Sequence, residues 1–247
     1  MNKNIEKLYL KYKVQEISDL FFSYDTFEKI IGKFKSYDLI DVKKIGKSFE
    51  KRNLYLLKIG KGEQNVFAWS QMHGNEPVST MSLFDFMSFL MSDEDDLTAE
   101  QELFLNECTF YFFPLVNPDG AEKFSRRNLQ GIDLNRDALK MTAPESKVLN
   151  NIIDEIQPDF AFNLHDQERY YGTNDCTIPT IMSFLSPSFD FSKTIDSYRE
   201  SAMQVISDIY SNLKNNLTQG IAKYNDAYMP NAFGDNVQKK KISTILR

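Results

Sequence analysis

Two short apolar runs lead into the only two histidines of the chain, and that pairing limits what the chain can fold into. Val66-Phe67-Ala68-Trp69 runs on through Met72 to His73, and Phe160-Ala161-Phe162-Asn163-Leu164 ends directly on His165. Apolar runs of about four to eight residues, bounded by turn residues, read as strands buried on both faces. Each has a helical neighbour. Met81, Phe84, Met87 and Leu90 recur at helical spacing after His73, and Val148, Leu149, Ile152, Ile153 and Ile156 recur before Phe160. Strands alternating with helices predict an α/β chain, a three-layer αβα sandwich around a mixed, mostly parallel, twisted sheet.

The remaining segments fit around this frame. Residues 1–36 read as an N-terminal helical extension, with Asp25 or Thr26 as the cap of its second helix. Residues 37–247 read as one domain with no internal repeat. Strands are expected over 37–45, 54–59, 65–72, 107–116, 160–164, 177–185 and 242–246, the first three as an antiparallel meander at one side of the sheet. Helices are expected over 77–91, 144–156 and 192–216. Asp93, Glu94, Asp95 and Asp96 form an acidic connection, and residues 219–241 read as loosely structured.

Composition excludes several function classes. A net charge of −6 and the lack of a long basic run argue against nucleic acid as a partner. No apolar stretch approaches the roughly 18 residues of a membrane span, and the first residues lack the apolar core of a signal peptide, which points to a cytoplasmic protein without a membrane partner. Cys108 and Cys176 make no disulfide framework; Cys108 reads as a buried, inert thiol.

His73 and Glu76 stand three apart at a strand-to-helix junction, where open α/β sheets place ligand sites. An imidazole and a carboxylate on one loop suit Zn²⁺, and a catalytic site needs one further protein ligand with a fourth position for water. His165 is the only other histidine. Taken alone, a His-x-x-Glu spacing arises by chance about one time in ten, so the downstream residues decide. Asn117-Pro118-Asp119-Gly120 is a strong turn signal after the most β-prone segment. Beyond it, Arg126, Arg127, Asn128, Asn135 and Arg136 share a glycine-bearing loop, an anion-binding pattern because the guanidinium fork matches a carboxylate or oxyanion.

Together, His73-Gly74-Asn75-Glu76, Asn117-Pro118-Asp119-Gly120, Arg126-x-Asn128, Asp133-Leu134-Asn135-Arg136 and Asn163-Leu164-His165 resemble the zinc carboxypeptidase family, peptidase family M14, over about residues 38 to 246. The resemblance implies one Zn²⁺ per chain on His73, Glu76 and His165. It implies that Asp133 hydrogen-bonds the ring of the first zinc histidine. Arg126 would hold the developing oxyanion, with Arg127 an alternative, and Asn135 with Arg136 would clamp the C-terminal carboxylate of a peptide. The family's general base is a glutamate expected within two residues beyond Leu246, so a polypeptide ending at Arg247 is expected to bind ligand but hydrolyse slowly; Asp166 and Glu168 are the substitutes to consider. Two other readings stand beside a carboxypeptidase. One is a zinc amidohydrolase of N-acyl amino acids, aspartoacylase-like; the other is a non-catalytic zinc-stabilised module that binds a terminal carboxylate.

Overall fold

The computed structural model describes residues 3–92, 98–167, 171–173, 177–215, 217 and 219–247. The acidic run 93–96, Glu168 and Cys176 lie outside the described residues. A six-stranded sheet runs in the order β1 (Ile40–Lys47), β2 (Asn53–Gly60), β4 (Cys108–Phe113), β3 (Gln64–Ser70), β5 (Phe160–Leu164) and β10 (Ser243–Leu246). The β1–β2 and β2–β4 pairings are antiparallel, whereas β3–β4, β3–β5 and β5–β10 are parallel. The sheet is thus mixed and mostly parallel, as expected. The meander is corrected in one respect: β3 does not follow β2 but sits between β4 and β5, because a strand apolar on both faces belongs in the sheet interior.

Alternate residues of the strands feed two cores. Leu57, Ile59, Ala68, Phe110 and Phe112 pack beneath α2 (Tyr24–Phe34) and α3 (Val78–Leu90) through Phe27, Ile31, Phe84 and Met87. Leu54, Leu56, Phe67, Trp69 and Phe113 face α6 (Pro144–Ile156) and α8 (Phe233–Lys239) through Leu149, Ile153, Phe233 and Val237. The period of two along each strand therefore produces the three layers. α1 (Lys3–Tyr12) precedes α2, whose Phe27, Ile30, Ile31 and Phe34 are buried in the same core as the sheet.

Several local expectations change. Ser23, not Asp25 or Thr26, caps α2, its side chain accepting from the Thr26 amide. The helix α4 (Thr98–Glu107) occupies a stretch not expected to be helical. Its packed side uses Gln101, which donates to the Phe89 carbonyl at 2.5 Å, and Phe104, edge to face with Phe86 and Phe110, while Leu103 points outward. A short helix α5 (Pro118–Glu122) starts at the Asn117 turn. The strand expected over 177–185 is two pieces around Thr180 and Ile181: β7 (Ile178–Pro179), paired with β6 (Gly172–Thr173), and β8 (Met182–Phe184), paired with β9 (Ile221–Lys223). α7 (Ser197–Leu213) starts five residues later than expected, because Asp196 caps it. Residues 219–241, expected to be loose, contain β9 and α8. Cys108 is half-buried rather than buried; burial and then Glu107 push its thiol pKa up, which suppresses reactivity.

Candidate metal centre

Four mutually parallel strands, β4, β3, β5 and β10, end on one side of the sheet. The chain leaves β3, β4 pairs on one side of it and β5 on the other, so the crevice between them is a topological switch point. The loop after β3 is held on every side. The Val116 and Asn117 amides donate to the Ser70 and Gln71 carbonyls, and the Asn117 side chain donates to the Met72 carbonyl at 3.2 Å. Gly74 passes so close to α5 that a Cβ there would lie 2.1 Å from the Gly120 carbonyl carbon. Only glycine permits that approach. The Asn-Pro-Asp-Gly turn is therefore scaffold. Asn117 caps the Gly120 amide, and buried Asp119 takes the Ser48 hydroxyl, the Glu50 amide and the Arg52 guanidinium.

His73 and Glu76 hang from this loop, and His165 comes from the end of β5. His73 Nδ1 lies 2.7 Å from Glu76 Oε1, and His165 Nδ1 lies 2.8 Å from Glu76 Oε2. All three side chains are buried. Asp166 sets the distance between the two halves. Its carboxylate accepts from the Val78 and Ser79 amides at 2.9 and 3.0 Å, capping α3, whose own N-cap is Pro77 with no side-chain bond. The Ser79 hydroxyl donates in turn to the His165 carbonyl at 3.0 Å. The residue considered as a substitute base is thus engaged as a helix cap.

A second layer orients the ligand atoms. His73 Nε2 faces Asp133 Oδ1 at 3.1 Å, and Asp133 Oδ2 accepts from Arg126 Nε at 3.1 Å. The Arg126 Nη1 then stands 3.2 Å from His73 Nδ1 and 3.4 Å from Glu76 Oε1. The Asn135 amide lies 3.3 Å from His165 Nε2, and its oxygen accepts from the Phe233 amide at the start of α8. Arg136 donates to the Asn135 carbonyl at 2.7 Å and forms no ion pair among the described residues. Arg127 is turned away, its guanidinium donating to the Gly131 carbonyl. Asn128 organises the loop: its oxygen takes the Gln130 and Ile132 amides, and its amide reaches buried Glu145.

Electrostatics follow from this packing. Burial alone would raise the pKa of Glu76, but His165 and His73 hold it well below the usual carboxylate range. Burial likewise opposes ionisation of Asp133, and His73, Arg126 and Arg136 overcome it. For His73, burial disfavours the cation, yet Asp133 and Glu76 raise its pKa. Two imidazole nitrogens and a carboxylate oxygen, all within 4.8 Å of one another, are a donor set suited to Zn²⁺. With Asp133 on Nε2, the His73 tautomer that keeps its proton there leaves the Nδ1 lone pair directed at the centre. The residues fit the metal.

Sequence reasoning missed the support behind the arginine loop. Asp235 is buried, accepts from the Met229 amide at 2.8 Å, and is pushed by burial from 3.8 up to about 6. A folded-state pKa above the unfolded one means that the folded chain binds the proton more tightly. Its cost is absent below about pH 4, grows between about pH 4 and 6 and stays at its full value above that. Asp235→Asn keeps the acceptor and is expected to stabilise the fold on the order of 1–2 kcal/mol at pH 8 and not at pH 4. Melting at the two pH values checks this, and equal shifts at both would refute it.

Comparison with known proteins agrees with the geometry. The family model described as zinc carboxypeptidase matches residues 30–227. Carboxypeptidase E of Caenorhabditis elegans is 30% identical over 122 residues, which are 42% of this chain and 26% of that protein. A crystal structure of a putative carboxypeptidase A from Shewanella denitrificans superposes with a TM-score of 0.69 at 18% identity, over 92% of this chain and 61% of that one. A metallo-carboxypeptidase from Pseudomonas aeruginosa, in complex with (2-guanidinoethylmercapto)succinic acid, gives 0.69 at 17% identity, over 92% and 60%. The chain spans less than half the length of the curated relatives it matches, 39% of an uncharacterized protein from Zymomonas mobilis among them. Because the family model covers most of its length and the donor set stands assembled where the sheet reverses its strand order, the chain belongs to the zinc carboxypeptidase family.

Proposed function

We propose that the chain holds one Zn²⁺ on His73, Glu76 and His165 and acts on a peptide or small substrate through its free terminal carboxylate, as a zinc-dependent carboxypeptidase. The observation that carries this reading is the juxtaposition of the buried donor triad with two arginines of different availability. When bound, zinc supplies Lewis acidity, polarising a carbonyl and lowering the pKa of water toward about 7. Arg126, fixed by Asp133 and aimed between His73 and Glu76, is placed to meet negative charge developing on a carbonyl oxygen. Arg136, which forms no ion pair among the described residues, offers its fork to a substrate carboxylate, with Asn135 beside it. Arg127 is left to the loop.

Proton transfer needs a further group. β10 pairs in parallel with β5, Leu246 opposite Asn163, so a residue two places past Leu246 in that register would stand level with His165. That is the place where the family resemblance expects the glutamate. The alternative base, Asp166, already takes two amides and a hydroxyl of α3.

The test is Arg136→Ala. Affinity for a peptide with a free carboxylate should fall by about 10- to 100-fold, the loss of a charge-assisted contact of about 1.5–3 kcal/mol. The amidated peptide should bind poorly to both proteins. Equal affinity for acid and amide forms would reject the carboxylate clamp.

A further inference from the structure

Glu145, in the first turn of α6, is a fully buried carboxylate that takes no part in the donor triad or in the pairing of its arginines. It makes no ion pair among the described residues. Burial pushes its pKa up, and hydrogen bonds from Phe49 and Asn128 work against that. A buried carboxylate is unfavourable unless its oxygens are satisfied. Here each oxygen takes a donor from a different, distant loop. Oε1 accepts from the Phe49 amide at 2.9 Å, and Oε2 accepts from the Asn128 side-chain amide at 3.2 Å.

The first anchor is rigid. Phe49 lies in the tip between β1 and β2, and buried Asp119 clasps that tip through the Ser48 hydroxyl at 2.7 Å and the Glu50 amide at 2.8 Å. The second anchor is the loop that carries Arg126. Asn128 is 3% exposed, and its oxygen accepts from the Gln130 and Ile132 amides at 3.0 Å each. Its own amide donates to the Ile132 carbonyl, and Gly131 completes the turn at φ +75°. Residues 128–132 are thereby folded back, so that Asp133 returns beside Arg126 and accepts from its Nε at 3.1 Å. Asn128 can keep its oxygen on this turn only while its nitrogen faces acceptors. One is Gln130 Oε1 at 3.4 Å, which belongs to the turn itself. Glu145 is the acceptor that ties the turn to α6.

We propose that Glu145 is a positioning residue for Arg126, acting through Asn128 and the turn that brings Asp133 back to the guanidinium. This rests on the carboxypeptidase reading, in which Arg126 meets charge developing on a carbonyl oxygen. The contact has a fixed polarity, because both Glu145 oxygens face donors. Glu145→Gln keeps an acceptor for the Phe49 amide but sets a nitrogen against the Asn128 nitrogen. Rotating Asn128 to relieve that clash would point its nitrogen at the Gln130 and Ile132 amides and open the turn. Adding Asn128→Asp reverses the contact without either conflict. The carboxylate at 128 then accepts from the amide at 145 and still takes both turn amides.

Calorimetry on the zinc-loaded chain compares two probes. One is N-acetyl-Ala-Leu with an N-methylated peptide bond, tested as the free acid and as the amide; the other carries a phosphonate in place of that bond. Glu145→Gln should weaken the phosphonate on the order of 10-fold and the plain acid by less than about 3-fold, at zinc content equal to wild type. Asn128→Asp alone sets two carboxylates face to face and should lose more. The double variant should return the phosphonate to within about 3-fold of wild type, which only a reversed contact explains. A purely structural brace would shift melting and leave the ratio of the two affinities unchanged. If Glu145→Gln does not fold, Asn128→Ser breaks the same contact from the loop side, leaves Glu145 its bond to Phe49, and must show the same selective loss. An unchanged ratio in the folded single variant, or a double variant no better than the single ones, overturns this proposal alone. A wild-type chain that binds acid and amide equally, or the phosphonate no better than the plain acid, overturns the carboxypeptidase reading, and this inference with it.

Discussion

His165→Ala is expected to bring zinc from about one equivalent per chain to almost none. A structural or catalytic site with three protein donors has no spare ligand, and loss of an orienting partner alone costs about 10- to 100-fold in metal affinity. Asp133→Asn is the control for that lesser effect. It leaves the three donor atoms in place and takes the negative charge from the partner of His73 Nε2, which is also the partner of Arg126 Nε. The expected order is therefore wild type, then Asp133→Asn, then His165→Ala far below. Melting gives a second readout. Zinc at about 100 times its dissociation constant stabilises a chain that binds it only when folded by about 2.7 kcal/mol, so the melting temperature of the wild-type chain should rise with zinc and that of His165→Ala should not. The variant also unburdens Glu76 of one buried partner, so its metal-free melting temperature must be recorded alongside. Full zinc stoichiometry in His165→Ala would sink the ligand assignment.

Much of the site was legible because its residues sit in short, spaced motifs. His73 and Glu76 share one loop, and Asp133, Asn135 and Arg136 share another. His165 could be joined to them since the chain has only two histidines and both follow apolar strands. The strands β3 and β5 and the helix α6 were legible for the same reason, namely clean periodicity between turn residues. What escaped was decided by partners far along the chain. The cap of α3 is Asp166, 87 residues from Ser79, so nothing near Pro77 signals it. Asn135 is held by the Phe233 amide, 98 residues on. The place of β3 between β4 and β5 depends on which strands its two apolar faces meet, a tertiary choice that local pattern leaves open. α4 packs through Gln101 beside Phe104 and Leu105 and exposes Leu103, a mixed face that periodicity does not pick out. The motif favours Arg126 but leaves Arg127 as an alternative one residue on; Asp133, seven residues from Arg126, separates them by pairing with Arg126.

Arg126→Ala is expected to separate affinity for a transition-state mimic from affinity for a substrate-like ligand. The guanidinium is positioned through Nε by Asp133, and its Nη1 points between His73 and Glu76, the side on which a carbonyl oxygen would gain charge. An interaction that strengthens only as charge develops contributes to turnover and to binding of charged analogues, and little to ground-state affinity. Removing one such donor typically costs about 10²–10³-fold. The zinc-loaded variant should therefore bind a phosphonate analogue of the peptide about 10²-fold more weakly, while a plain free-carboxylate ligand should change by less than about 3-fold. Arg127→Ala should change neither, since its guanidinium is turned to the exposed Gly131 carbonyl and makes no hydrogen bond to the donor triad among the described residues. Where hydrolysis is measured, the loss in Arg126→Ala should fall on kcat and kcat/KM equally, with KM nearly constant. Zinc content must match wild type in both variants, because Arg126 also helps Asp133 hold the His73 ring, and a drop in metal would imitate the effect. A uniform loss for both ligands would make Arg126 a binding residue and not an oxyanion partner, and a phosphonate effect in Arg127→Ala in its place would transfer the role to that neighbour.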